Sequence, residues 1–110
     1  AGAAAGVHIL RLYGALFFGA VAKAEQVAEQ LPVGTKALVL EAHRLVLMDS
    51  SGLDALEQLQ RSLARQNVRL LICELNEQPL DLIRRAGFAD VLGQDNLHRD
   101  LASALRAAAT

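Results

Sequence analysis

The sequence predicts a small single α/β domain, with about four strands in a mixed, mostly parallel sheet and about four helices. Three observations carry this reading. Short apolar runs of strand length alternate with longer segments in which apolar residues recur every three or four positions. Of the 110 residues, 53% are hydrophobic, much of that being Ala and Leu, with three Phe, one Tyr and no Trp. That composition suits helices packed closely on a sheet better than an aromatic-rich β-sandwich. The length suits one domain with one core.

The chain opens on Ala1-Gly2-Ala3-Ala4-Ala5-Gly6, a low-complexity stretch read as a linker or cloning scar, which places the domain at residues 7–110. Val7 to Tyr13 is mainly apolar and reads as a strand, ended by Gly14. Phe17, Val21, Ala24, Ala28 and Leu31 then mark one helix face, with Lys23, Glu25, Gln26 and Glu29 on the other. Pro32 and Gly34 close that helix. Lys36 to Glu41 is a near-continuous apolar run, as expected of a strand buried on both faces of a parallel sheet.

After the polar break Ala42-His43-Arg44, Leu45 to Met48 leads into the turn Asp49-Ser50-Ser51-Gly52. Leu53, Leu56, Leu59 and Leu63 form the stripe of the next helix, from Ser51 to Gln66. Glu57 and Arg61 lie off the stripe in the favourable i,i+4 order, worth about 0.2–0.5 kcal/mol. Asn67 suits a helix end, and Val68 to Glu74 a third strand. Asn76 to Arg85 reads as a short helix with Pro79 in its first turn and Gly87 at its end. Phe88 to Gly93 is expected to add a short edge strand. Leu97, Leu101, Ala104, Leu105 and Ala108 define a last amphipathic helix.

Composition narrows the function classes. A net charge of -1 provides no field to recruit nucleic acid or anionic lipid. The single Cys73 allows no internal disulfide, and a reducing, cytoplasmic setting follows as the simpler expectation. No apolar run approaches the roughly 20 residues of a membrane span. His8, His43 and His98 are scattered, so no metal centre or cofactor is expected. Neither a phosphate-cradling glycine loop nor a nucleophile elbow is present. Nothing argues for catalysis.

The Asp49–Gly52 turn is the candidate site. It joins an extended segment to a helix start, where backbone N–H groups and the helix dipole favour anions. Ser50 or Ser51 is placed to cap the helix, and Ser51 with Asp54 fits a capping-box-like pattern. A phosphoryl group on either hydroxyl would put charge at that joint.

Met48-Asp49-Ser50-Ser51-Gly52-Leu53, followed after the third strand by Arg84-Arg85-Ala86-Gly87-Phe88, resembles the STAS domain shared by sulfate transporters and anti-sigma factor antagonists. The likeness runs from residue 7 to about 108. Leu12 to Ala20, with its double phenylalanine Phe17-Phe18, is similar to the start of the carboxy-terminal domain of SulP-type anion transporters. Standalone antagonists usually lack that pair. The absence of an initiating Met also fits a domain excised from a longer chain. The resemblance implies a non-enzymatic regulatory or protein-interaction domain on the cytoplasmic side of a sulfate or related anion transporter. Its implied partners are the membrane domain, a dimer mate or another protein surface, with no cofactor, and the partner-binding residues stay unassigned. Contact with a membrane would come only through the transporter's other domain.

The alternative it implies is a freestanding antagonist, switched when a partner kinase phosphorylates the hydroxyl before the glycine. That is Ser51 here, with Asp49, Ser50 and Gly52 shaping the loop, and the helix Ser51–Gln66 as the face that binds or releases an anti-sigma factor. The resemblance also implies, for some family members, binding of nucleotides or an acyl carrier protein; nucleotide binding is a third reading, and no local motif supports either. Glu41 stands where the family commonly has Asp.

Overall fold

A computed structural model describes residues 6–13 and 17–109. Gly14, Ala15 and Leu16, and the side chains of Phe17 and Phe18, lie outside the described residues, and the double-phenylalanine feature with them. The strands are β1 (Val7–Arg11), β2 (Ala37–Glu41), β3 (Arg69–Cys73) and β4 (Leu97–His98). The helices are α1 (Phe17–Glu29), α2 (Ser50–Arg65), α3 (Glu77–Arg85), α4 (Phe88–Leu92) and α5 (Leu101–Ala108), with a 3-10 turn at Gln94–Asn96.

The strands lie in the order β1-β2-β3-β4, and every pairing is parallel. The expectation of a mixed sheet thus resolves into a wholly parallel one. Each strand returns through helix to the next position along the sheet, so the order never reverses. Crossovers of one hand then stack α1 to α4 on one face. They bury Val21, Leu56, Leu59, Leu63, Ile83 and Phe88 against Leu38, Leu40 and Ile72. On the other face, α5 alone packs Ala104 and Ala108 against Val7, Val39 and Leu71. Alternation along β2 and β3 sends successive side chains to these two cores, which is why both runs read as continuously apolar.

Two elements depart from expectation. Phe88 to Leu92 is a helix, not an edge strand. Phe88 and Leu92 are buried while Asp90 between them is exposed, as a helical turn allows; a strand would have put Asp90 on the buried face with them. Gly87, at φ 81, ends α3 in the left-handed conformation glycine tolerates, and α4 restarts from it. The fourth strand comes later, at Leu97–His98, where the last helix was expected to begin. Asp100 caps that helix instead, its side chain accepting from Ser103 N–H.

Gly6, read as the end of a linker, is bound into the fold. Its carbonyl accepts from the N–H groups of Lys36 (2.7 Å) and Ala37 (3.2 Å). It has φ +83, and a Cβ there would lie 2.8 Å from the Gly34 carbonyl oxygen. Asn67 ends α2 with a left-handed φ of 59, as its place at a helix end suggests.

Candidate functional site: the Asp49–Gly52 turn and the carboxyl edge of the sheet

The turn is held by side chains reaching over from α3. Gln78 accepts from Met48 N–H (2.7 Å) and donates to Met48 C=O (2.9 Å). Asn76 donates to the carbonyls of His43 (2.9 Å) and Leu45 (3.0 Å). Residues 45–48 therefore carry no strand ladder yet are fixed in place, with Leu45 and Met48 buried and Val46 (63%) and Leu47 (68%) exposed. Met48 delivers the chain to Asp49.

Asp49 is the helix cap, not Ser50 or Ser51. Its carboxylate accepts from Gly52 N–H at 2.9 Å, and its backbone is extended while Ser50 is already helical. A carboxylate satisfies the N3 donor and adds charge at the positive end of the dipole, so the cap falls one residue before the serines and the helix starts at Ser50. Both hydroxyls are left exposed on the first turn, and Gly52 is buried beneath them. Ser51 opens onto a shallow cleft between α1 and α2 that also holds Glu25, Asp54 and Gln58. With Asp49, the cap two residues before Ser51, the surface at this helix start carries three carboxylates. A phosphoryl group on Ser51 would gain from the helix dipole and be repelled by these acids.

Beside the turn lies an open cleft of about 810 Å³, lined by Val46, Leu47, Gln78, Leu80, Asp81 and Arg84 among others. Arg84 and Arg85 of the second motif lie on α3, where Arg85 pairs with Asp81 at 2.9 Å on a solvated face. The motif therefore serves the α3–Gly87–α4 corner as well as this surface.

A second cluster sits at the carboxyl end of β2 and β3. Glu41 is buried, 4% exposed. Its Oε1 accepts from His43 N–H (2.8 Å) and contacts His43 Nδ1, and its Oε2 lies 3.7 Å from Arg11 Nε. Burial raises its pKa; the backbone N–H, ring and charge of His43, with Arg11, outweigh that and hold the carboxyl below its usual range. Glu74 brings a second carboxylate to the same point. Cys73, the register partner of Glu41, is buried as expected, and burial together with Glu74, Glu41 and Asp100 pushes its thiol up to about 12. It is an inert thiol at ordinary pH. Sequence reading noted Glu41 only as a departure from a family pattern. The spacing Glu41-x-His43 was the available signal; Glu74 joins only through strand pairing.

Comparison with known proteins bears on the whole chain. The family model described as the STAS domain matches residues 3–104. Sulfate transporter 1.2 of Arabidopsis thaliana is 33% identical over 70 residues, 64% of this chain and 11% of the relative. The putative sulfate transporter YvdB of Bacillus subtilis is 28% identical over 97 residues, 86% of this chain and 18% of the relative. The chain thus spans less than a fifth of these relatives' length. Among solved structures, a sulfate transporter family protein from Wolinella succinogenes superimposes with TM-score 0.88 at 25% identity, covering 98% of this chain and 88% of that one. The STAS domain of a SulP transporter from Vibrio cholerae gives 0.84 at 25% identity, covering 96% and 82%. The same α/β layers, the Asp-Ser-Ser-Gly turn and a family match over nearly the full length converge on one conclusion: this chain belongs to the STAS domain family.

Proposed function

We propose that this chain is the regulatory STAS domain of a SulP-type sulfate or related anion transporter, non-enzymatic, on the cytoplasmic side, and working by docking against other protein surfaces. The observation that carries this reading is the pinned segment at residues 45–48. Val46 and Leu47 are the exposed apolar tip of a loop whose backbone is tied to α3, beside an open cleft and the family's Asp-Ser-Ser-Gly turn. A rigid apolar tip rimmed by polar groups is the anatomy of a protein contact. Relatives named as sulfate transporters, in which a domain of this size fills only a small share of the chain, support the same assignment. No helix among the described residues is long and apolar enough to cross a membrane. The membrane-spanning part would belong to another region of the gene product.

The reading frame upstream of residue 1 tests this directly. About ten apolar spans there would establish the transporter, whereas a start codon just before Val7 would sink it. In the intact protein, replacing Val46 and Leu47 with Asp is expected to lower sulfate uptake severalfold without changing the fold of the domain. Uptake equal to wild type would remove the docking role.

A second reading, the phosphorylation switch, is favoured by one observation: Ser51 presents its hydroxyl at the surface directly before a buried glycine. Because Glu25 and Asp54 share its cleft and Asp49 caps the same helix start, a phosphate on Ser51 would act by repelling an acidic partner face and not by docking onto a basic one. Incubation with serine kinases and mass spectrometry checks this. Equal labelling of the wild type and Ser51→Ala would dismiss the site.

A further inference from the structure

We propose that Glu41, His43 and Glu74 form a binding site for a first-row divalent cation of the Zn²⁺ kind. One ligand atom from each lies within 4.8 Å of the others. The set is mixed, one imidazole nitrogen and two carboxylate oxygens, which is the donor chemistry these cations prefer over Mg²⁺ or Ca²⁺. The residues come from the ends of two paired strands, Glu41 from β2 and Glu74 just beyond β3, with His43 on the turn that follows β2. His43 and Arg11 already offset the charge of Glu41, and a cation would bring Glu74 under the same compensation. Asp100 adds a third negative group on the same side of the sheet, within electrostatic reach of Cys73 together with Glu41 and Glu74.

The site is partly organised. Glu41 is buried, and the N–H of His43 fixes its Oε1 at 2.8 Å. This is the supporting contact that orients a ligating carboxylate. Arg11 engages the other oxygen at 3.7 Å and can stay there while Oε1 binds the cation; its side chain is 60% exposed and can also withdraw. Tetrahedral ligands near 2.0–2.1 Å from a metal lie about 3.3 Å apart, so the His43–Glu41 contact must open and the wider separations, within 4.8 Å, must close. The half-exposed His43 ring and the partly buried Glu74 side chain are placed to make these movements. On binding, the cation takes the place of the hydrogen shared by His43 Nδ1 and Glu41; a neutral ring then carries its hydrogen on Nε2, and a doubly protonated ring releases the Nδ1 hydrogen to solvent as a proton. Three protein ligands leave at least one position open toward water. Cys73, on the same strand ends, takes no part, because its sulfur is fully buried against the α5 face.

This assignment is independent of the docking role and is tested without it. The 110-residue chain is titrated with ZnCl₂ alone, by calorimetry and by amide NMR. One equivalent is expected to bind, with shifts centred on residues 41–43 and 73–75. His43→Ala and Glu74→Gln, both at positions outside the core, are each expected to weaken binding by at least the 10- to 100-fold that loss of a supporting group costs, with their far-ultraviolet dichroism unchanged. His8→Ala and His98→Ala are expected to bind as wild type does. Absence of binding by the wild type, undiminished binding by both ligand variants, or loss of binding in His98→Ala would each overturn the proposal.

Discussion

One face of the sheet is covered by four helices and the other by one. On the first, Leu56, Leu59, Leu63, Ile83 and Phe88 are fully or almost fully buried against Leu38, Leu40 and Ile72. On the second, α5 brings only alanines into full burial, over Val7, Val39, Leu71 and Cys73. Large aliphatic side chains remove more apolar area from water than alanines do, at roughly 25 cal/mol per Å². The thick face therefore carries most of the cooperative stability. The thin face depends more on polar ties: Arg69 donates to Ala107 C=O (2.8 Å), Asp95 C=O (3.3 Å) and Asn96 Oδ1, joining α5 and the 3-10 turn to β3. The two candidate surfaces divide the same way. The Asp49–Gly52 turn belongs to α2 on the thick face, while Glu41 shares the face of Val39 by alternation and lies on the α5 side.

The sharpest way to break this comparison is a pair of truncations. Leu59→Ala is expected to cost about 2–5 kcal/mol, because a fully buried leucine leaves a cavity. Leu105→Ala on α5, only partly buried, is expected to cost less than half as much. Urea denaturation midpoints at constant m-value measure both; equal losses would mean that the thin face bears as much of the fold. Arg69→Met comes next. Loss of its charged hydrogen bonds is expected to cost about 1.5–3 kcal/mol, and amide exchange should quicken across residues 97–109 while α1 and α2 stay protected. Uniform quickening would contradict a separate α5 unit.

Asp49→Ala is expected to cost about 1 kcal/mol through loss of the cap, with Asp49→Ser recovering most of it. The smallest effect concerns acid. Ser103 N–H and its hydroxyl hold the Asp100 carboxyl below its usual range. A carboxyl depressed on folding stabilises above its unfolded pKa of about 3.9, and that stabilisation is lost as pH falls through the lower folded value. Opening of α5, followed by amide exchange, should thus increase on acidification below about pH 4, and Asp100→Asn should flatten that dependence. Glu41, also depressed, acts with the same sign, so the part removed by Asp100→Asn isolates the cap.

What was readable in the chain followed from periodicity. The α1 and α2 stripes and the β2 and β3 runs match their elements closely, because each repeat of apolar residues meets a core of the same period. Phe88 to Leu92 reads as a strand from sequence because five residues are too few to separate a repeat of two from a repeat of four. The two-residue β4 was missed because it has no pattern of its own and is defined by pairing with Ile72 and Cys73. The capping role shifted from the serines to Asp49 because three adjacent polar residues all suit the position. Only the backbone decides which of them is extended.

The sequence by itself determined the α/β alternation, the burial of Cys73, the place of the Asp-Ser-Ser-Gly turn at a helix start and the resemblance to the STAS family. These are local or periodic properties, written in neighbouring residues. Tertiary structure alone decided that all strands run parallel in chain order, that α5 stands by itself on the far face, that Gln78 and Asn76 pin Val46 and Leu47 outward, and that Glu74 meets Glu41 and His43. Each of these depends on which strand lies beside which. That choice rests on the summed packing of distant side chains, and no short stretch of the chain records it.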